Sequence, residues 1–244
     1  MTYCCALRLK DGLVFISDTR TNAGVDQISV FRKLYTFGVE SERFIAIQTA
    51  GNLATTQAVI GHLRDQLALN EEPNLYSLST MFEVAQLVGR TLRQVIAEVT
   101  ENTQEQSNYY CSLLVGGQIG EAELQLYNIY PQGNFICATK DTPFFQIGES
   151  KYGKPILDRA LTYLMPLDEA VRCSLISFDS TIRSNVSVGL PLDVLVYKVD
   201  SLSIPKGKRI TAENEYFKEI SRQWSETLRR GLHDIPKPSD DYLE

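Results

Sequence analysis

Apolar and polar positions fall into separate stretches along this chain, some with the two-residue period of strands and some with helical spacing. The first stretch, Tyr3–Lys10, alternates weakly and is followed by Asp11-Gly12 and the apolar run Leu13-Val14-Phe15-Ile16. A D-G pair between two apolar runs is a strong hairpin signal, because its glycine accepts the positive φ of a tight turn. The chain therefore begins with a hairpin that closes on Ser17-Asp18-Thr19-Arg20. Strand-like runs follow at Lys33–Phe37 and Phe44–Thr49. The second ends in Ala50-Gly51-Asn52, where glycine permits a turn and asparagine can cap a helix. From Leu53 to about Leu69 the pattern is helical.

A second helix is expected from Ser79. Phe82, Ala85, Leu87, Val88, Leu92, Val95, Ile96 and Val99 recur at three- and four-residue steps and share one broad face. Strands resume at Tyr109–Val115, Leu124–Tyr130 and Asn134–Ala138, with turns expected at Gly116-Gly117 and Pro131-Gln132-Gly133. Helical stretches at Gly153–Leu164 and Leu167–Ser180 precede a strand at Leu192–Val199. A last helix, Asn214–Leu232, carries the only tryptophan, Trp224. Helices that arrive in pairs between blocks of hairpin-connected strands cannot be βαβ crossovers. The expected fold class is therefore α+β, a four-layer αββα sandwich of two mostly antiparallel sheets with helices outside. One domain is expected over residues 1–235, followed by a loose polar tail, 236–244.

Composition narrows the function classes. With 244 residues and 43% hydrophobic positions the chain can bury one sizeable core. Its 24 Lys and Arg against 30 Asp and Glu give a net charge of −6, so no attraction to nucleic-acid phosphate is expected. The basic run Lys206-Gly207-Lys208-Arg209 reads as a solvated turn. Apolar runs such as Leu13–Ile16 and Leu192–Tyr197 are strand-sized, far below the ~20 residues of a spanning helix, so no membrane partner is expected. Met1-Thr2-Tyr3-Cys4-Cys5 lacks the basic head and apolar middle of a secretory signal, and a cytoplasmic location is expected. Five cysteines, an odd number without C-x-x-C spacing, read as reduced core thiols. His62 and His233 are the only histidines and have no ligand-spaced partners, so neither a metal nor an organic cofactor is expected.

The shortage of histidine also removes Ser-His and Cys-His nucleophiles, and G-x-S-x-G, P-loop, G-x-G-x-x-G and H-E-x-x-H motifs are absent. A base that needs no histidine is the α-amino group, whose ordinary pKa of about 7.7–8.0 lies near working pH. Thr2 suits this chemistry: removal of Met1 would leave a hydroxyl and a free amine on one residue. Thr2 stands at the tip of the first strand and Asp18 at the end of its hairpin partner, so both lie at one end of the ladder. Lys33 begins a nearby strand. Its charge would favour the deprotonated hydroxyl and amine, while Asp18 would hold its ammonium in place.

Thr2, Asp18-Thr19-Arg20, Asn22-Ala23-Gly24, Arg32-Lys33 and Thr49-Ala50-Gly51 follow one another much as in catalytic proteasome β-type subunits, an N-terminal-nucleophile (Ntn) hydrolase family. Nearly the whole chain resembles that family, and in particular its bacterial Anbu (ancestral beta subunit) branch. The stretch Ile147-Gly148-Glu149-Ser150-Lys151-Tyr152-Gly153-Lys154-Pro155-Ile156 adds to this likeness. The resemblance implies Thr2 as nucleophile and base, Asp18 and Lys33 as supporting charges, and the Gly51 N–H as oxyanion donor. It also implies Ser150 as a contact of the N-terminal amine, Ser187 as a helper, and Thr21, Asn22 and Thr49 as lining for the substrate. The family commonly carries D-x-x-S-G where this chain has Ser184-Asn185-Val186-Ser187-Val188-Gly189, so the expected carboxylate and first glycine are missing.

The function that follows is a threonine-type peptidase acting on peptide or amide substrates within a self-compartmentalising homo-oligomer, a ring or an open spiral. Two alternatives stand beside it: an Ntn amidohydrolase for a small or isopeptide-like amide, and a non-catalytic assembly or binding subunit. Whether an ATPase partner feeds the assembly is not legible in the sequence.

Overall fold

The computed structural model describes residues 2–22, 28–101 and 106–242. The predicted hairpin is present as β1 (Tyr3–Leu9) and β2 (Gly12–Asp18). It is followed by a small ribbon of β3 (Arg20–Asn22) and β4 (Ile28–Val30), then by β5 (Leu34–Val39) and β6 (Arg43–Gly51). Helices α1 (Leu53–Ala68) and α2 (Met81–Thr100) come next. Strands β7 (Cys111–Ile119), β8 (Gln125–Ile129), β9 (Phe135–Cys137) and β10 (Phe144–Gly148) precede α3 (Lys154–Ala160) and α4 (Leu167–Ser184). The chain ends with β11 (Leu192–Lys198), β12 (Lys208–Ile210) and α5 (Glu215–Asp234). The residues from 236 to 242 are exposed. Among the described residues no helix is long and apolar enough to cross a membrane.

Two five-stranded antiparallel sheets result, in the orders β10-β1-β2-β11-β12 and β5-β6-β7-β8-β9. They face each other across a core that includes Cys4, Ala6, Phe15, Phe44, Leu114 and Tyr197. The opposite face of the first sheet presents Tyr3, Cys5, Leu7 and Ile16 to α3, α4 and α5. The outer face of the second presents Ile45, Ile47, Leu113 and Val115 to α1 and α2. The four layers are thus αββα. Burial on both faces explains why the first strand alternates so weakly in sequence: both sets of side chains are buried and, Arg8 apart, uncharged. Each fully buried Phe, Leu or Ile contributes about 1.5–3 kcal/mol.

Local chemistry fixes the helix ends. Asn52 caps α1 by accepting from the Thr55 N–H at 3.0 Å. Thr80 and Glu83 form a reciprocal capping box at the start of α2, with Glu83 N–H to Thr80 Oγ1 at 3.2 Å and Thr80 N–H to Glu83 Oε2 at 3.0 Å. Phe82 and Val99, which share the apolar periodicity of α2, nevertheless lie exposed; Phe82 instead meets the edge of Phe135.

Gly116-Gly117 is not a turn. Both residues lie inside β7, opposite Ala46 and Ile45, and a Cβ on Gly117 would fall 2.1 Å from the Phe44 carbonyl oxygen. Here glycine lets two strands approach closely, and the chain reverses only after Ile119. Strands β3, β4, β10 and β12 are not legible in the sequence pattern: each is short, and its pairing is set by tertiary neighbours.

The cysteines follow the layers. Cys4 is sealed between the sheets and Cys5 beneath the helices, and Cys111 and Cys173 are buried as well, while Cys137 is exposed. Burial pushes the Cys111 and Cys173 thiols up to about 12 and about 11, and pushes Cys4 and Cys5 well up too. These four thiols are protonated packing groups at neutral pH.

Candidate active site

One end of the inter-sheet layer opens into a cleft of about 410 Å³. Three regions build it. Thr2, just before β1, lies beside Gly148 and Glu149 at the end of β10. Thr49, Ala50 and Gly51 come from the end of β6, and Leu53 and Thr56 from the first turns of α1. Thr21 of β3 and Lys33, immediately before β5, complete it. The hairpin register explains the first juxtaposition: Cys4 pairs with Ser17, so the chain on either side brings Tyr3 next to Asp18.

A buried ion pair lies under the cleft. Lys33 Nζ donates to Asp18 Oδ1 at 2.8 Å and to the Arg20 carbonyl at 2.6 Å. The Tyr3 N–H donates to the same Asp18 oxygen at 3.0 Å. Asp18 is 0% exposed and Lys33 4%. Burial pushes the Asp18 carboxyl above its usual range, opposed by the Lys33 charge and hydrogen bond and by the N–H groups of Tyr3 and Gly189. Among the described residues the second carboxylate oxygen has no close hydrogen bond, so the pair depends strongly on Lys33. Lys33 is held in turn from its backbone, since its carbonyl accepts the Thr49 N–H at 3.0 Å. Cys4 donates its thiol to the Thr49 carbonyl at 3.6 Å. Desolvation, reinforced by the Asp18 charge, keeps it protonated, so it does not compete as a nucleophile.

Gly51 closes the opposite wall. Its φ of +121° and the 2.5 Å that would separate an added Cβ from the Tyr110 carbonyl oxygen both demand glycine. It stands one residue before the Asn52 cap, so the positive N-terminal end of the 16-residue helix α1 borders the cleft. That end favours negative charge developing nearby. The arrangement offers a hydroxyl-bearing residue, a cation beside it, a carboxylate that orients the cation and a backbone donor region across the cleft.

The sequence-predicted residues divide in two. Thr2, Lys33, Gly51, Thr21 and Thr49 line the cleft, and Asp18 lies beneath it. The Asn22 side chain, with Ala23, Gly24 and Met1, lies outside the described residues. Ser150 follows Glu149 directly but is not among the described residues that line the cleft; it lines a neighbouring pocket with Phe144, Lys154 and Asp158. Ser187 is not among the described residues that line the cleft; its N–H donates to Asn185 Oδ1 at 2.9 Å. Ser184 is exposed at the end of α4, whereas Asn185 is buried and donates to Glu149 Oε2 at 3.0 Å. Glu149 is the residue that sequence reasoning missed. No signal in the sequence pattern gives it away, because only the pairing of Tyr3 with Gly148 brings the residue after Gly148 to the end of the sheet beside Thr2. Among the described residues no group of three or more His, Cys, Asp or Glu is placed to hold a metal ion.

Comparison with known proteins agrees with this architecture. A model of the proteasome subunit family matches residues 2–196. Anbu (ancestral beta-subunit) from Yersinia bercovieri is 51% identical, with a TM-score of 0.92 over 97% of this chain and 99% of that one. A helical assembly of the Anbu complex from Pseudomonas aeruginosa is 53% identical, with a TM-score of 0.92 over 98% and 99%. Anbu from Hyphomicrobium sp. strain MC1 is 44% identical, with a TM-score of 0.89 over 97% and 99%. No curated protein matches the chain.

Proposed function

We propose, from the premise that this chain belongs to the proteasome subunit family, that it is a threonine-type peptidase activated by removal of Met1. The observation that carries the reading is the buried Lys33–Asp18 pair beneath a cleft lined by Thr2 and Gly51. In the proposed cycle the Thr2 α-amine takes the hydroxyl proton as Oγ attacks an amide carbonyl. The oxyanion is held by the Gly51 N–H and favoured by the adjoining end of α1. The protonated amine then gives its proton to the leaving nitrogen, and an ester on Thr2 remains. Water, deprotonated by the same amine, attacks that ester, releases the acid product and restores the hydroxyl. Lys33 lowers the cost of the negative charge on Oγ, and Asp18 keeps Lys33 in place.

Thr21, Thr49 and Asn22 are proposed to contact the substrate, and Ser150 and Ser187 to act at most indirectly. Identical subunits are proposed to assemble as the Anbu complex from Pseudomonas aeruginosa does in its helical assembly, with the clefts facing an enclosed space.

Intact mass, followed by incubation with a threonine-directed covalent inhibitor and peptide mapping, tests this reading. The expected result is loss of Met1 and an adduct on Thr2, absent in Thr2→Ala. Retained Met1 with no adduct overturns it in favour of a non-catalytic assembly subunit. An adduct together with cleavage of small or isopeptide-like amides, but not of unfolded protein, favours the amidohydrolase.

A further inference from the structure

Glu149 lines the Thr2 cleft with a side chain only 10% exposed. Its own N–H donates to the Thr2 carbonyl at 2.7 Å, so its main chain is tied directly to the proposed nucleophile. The preceding Gly148 passes so close that an added Cβ would fall 2.0 Å from that same carbonyl oxygen. The carboxylate is oriented from behind. Oε2 accepts from buried Asn185, and Asn185 is itself fixed by the Ser187 N–H. Among the described residues Oε1 has only a 3.5 Å ion pair with the exposed Lys151. The other carboxylate at the site, Asp18, already spends Oδ1 on Lys33 and Tyr3 N–H and is fully buried. A new ammonium on Thr2 would therefore find its accessible acceptor at Glu149.

We infer that Glu149 is the positioning residue for the Thr2 α-amine, held in place by Asn185 and Ser187, and that its carboxylate takes the place the family resemblance gives to a serine hydroxyl. This inference rests on the threonine-peptidase reading. The charged groups around Thr2, among the described residues, are Asp18 at the end of β2, Lys33 immediately before β5, and Glu149, backed by Lys151, after β10. The lining from β6 and α1 is uncharged. A carboxylate beside the amine favours its charged form, so the amine becomes a competent base only at higher pH than it otherwise would.

The test is the rate of adduct formation at Thr2 across pH, with an uncharged threonine-directed electrophile and, in parallel, Lys- and Arg-bearing ones, for the wild type, Glu149→Gln, Glu149→Asp and Ser150→Ala. Glu149→Gln is expected to move the acid limb down by roughly one pH unit and Ser150→Ala to leave it unmoved. Glu149→Asp, which keeps the charge but shortens the reach, is expected to keep the limb and lose roughly ten- to a hundredfold in rate. An unmoved limb in Glu149→Gln overturns the inference while a reacting wild type keeps the peptidase reading. An effect confined to Lys- or Arg-bearing probes overturns it too, since that outcome makes Glu149 a specificity residue. If Glu149→Gln does not fold, Glu149→Asp decides alone, and a wild-type rate there overturns the inference. A wild type that retains Met1 and forms no adduct sinks both.

Discussion

At the scale of single residues, the Lys33–Asp18 pair sets the energetic terms. Both groups are almost wholly buried, and their mutual contact and backbone partners offset only part of the desolvation of the carboxylate. Replacing one member leaves the other as an uncompensated buried charge, which costs about 3–5 kcal/mol. Lys33→Met is therefore expected to destabilise the fold by that amount near pH 8. Because burial already raises the Asp18 pKa against the pull of Lys33, loss of Lys33 raises it further. A raised carboxylate pKa means that the folded state binds the proton more tightly than the unfolded one. The penalty is thus fully present above the raised value and is relieved as pH falls toward the ordinary carboxylate range. Urea unfolding of wild type and variant at several pH values measures this. A stability difference independent of pH would show that Asp18 is not the group left uncompensated. Thr2, Asp18 and Lys33 are legible from the sequence because hairpin geometry alone brings the first two together. Glu149 is not, because its place beside Thr2 depends on the pairing of Tyr3 with Gly148, and β10 is too short to announce itself as a strand.

At the scale of elements, periodicity and capping chemistry reveal the helices and the longer strands, and glycine is the ambiguous symbol. Gly116-Gly117 reads as a turn in a one-dimensional pattern, yet it serves close strand contact, which only the partner β6 makes necessary. The two uses of glycine predict opposite signs on substitution. Gly117→Ala places a Cβ against the Phe44 carbonyl oxygen and is expected to destabilise by about 1–3 kcal/mol. Gly61, in the interior of α1, has nothing within 4 Å of where a Cβ would stand, and Gly61→Ala is expected to stabilise by about 1 kcal/mol through helix propensity. Thermal unfolding of the two variants side by side checks the pair. Equal shifts would mean that the backbone of β7 relaxes away from β6.

At the scale of the whole molecule, α5 extends an apolar stripe beyond the core it packs on. Phe217 and Ile220 are buried in the core shared by α4 and the first sheet, whereas Leu228 and Leu232, one turn apart on α5, are 54% and 71% exposed, and Ile235, the extended residue that caps the helix, is 63% exposed. Residues four apart share one helix face, so Leu228 and Leu232 continue the stripe of the buried pair, and Ile235 adjoins its end. A subunit that acts inside a homo-oligomer needs apolar surface left over after folding, and burying this trio between copies removes the exposure. The assembly reading therefore predicts that a Leu228→Ser/Leu232→Ser variant keeps its secondary structure but sediments at lower mass than the wild type. Circular dichroism and analytical ultracentrifugation separate the two effects. An unchanged mass would place the assembly contacts elsewhere on the molecule, and a wild type that sediments as a single chain would remove the enclosed chamber from the proposal while leaving the chemistry at Thr2 to be tested on its own.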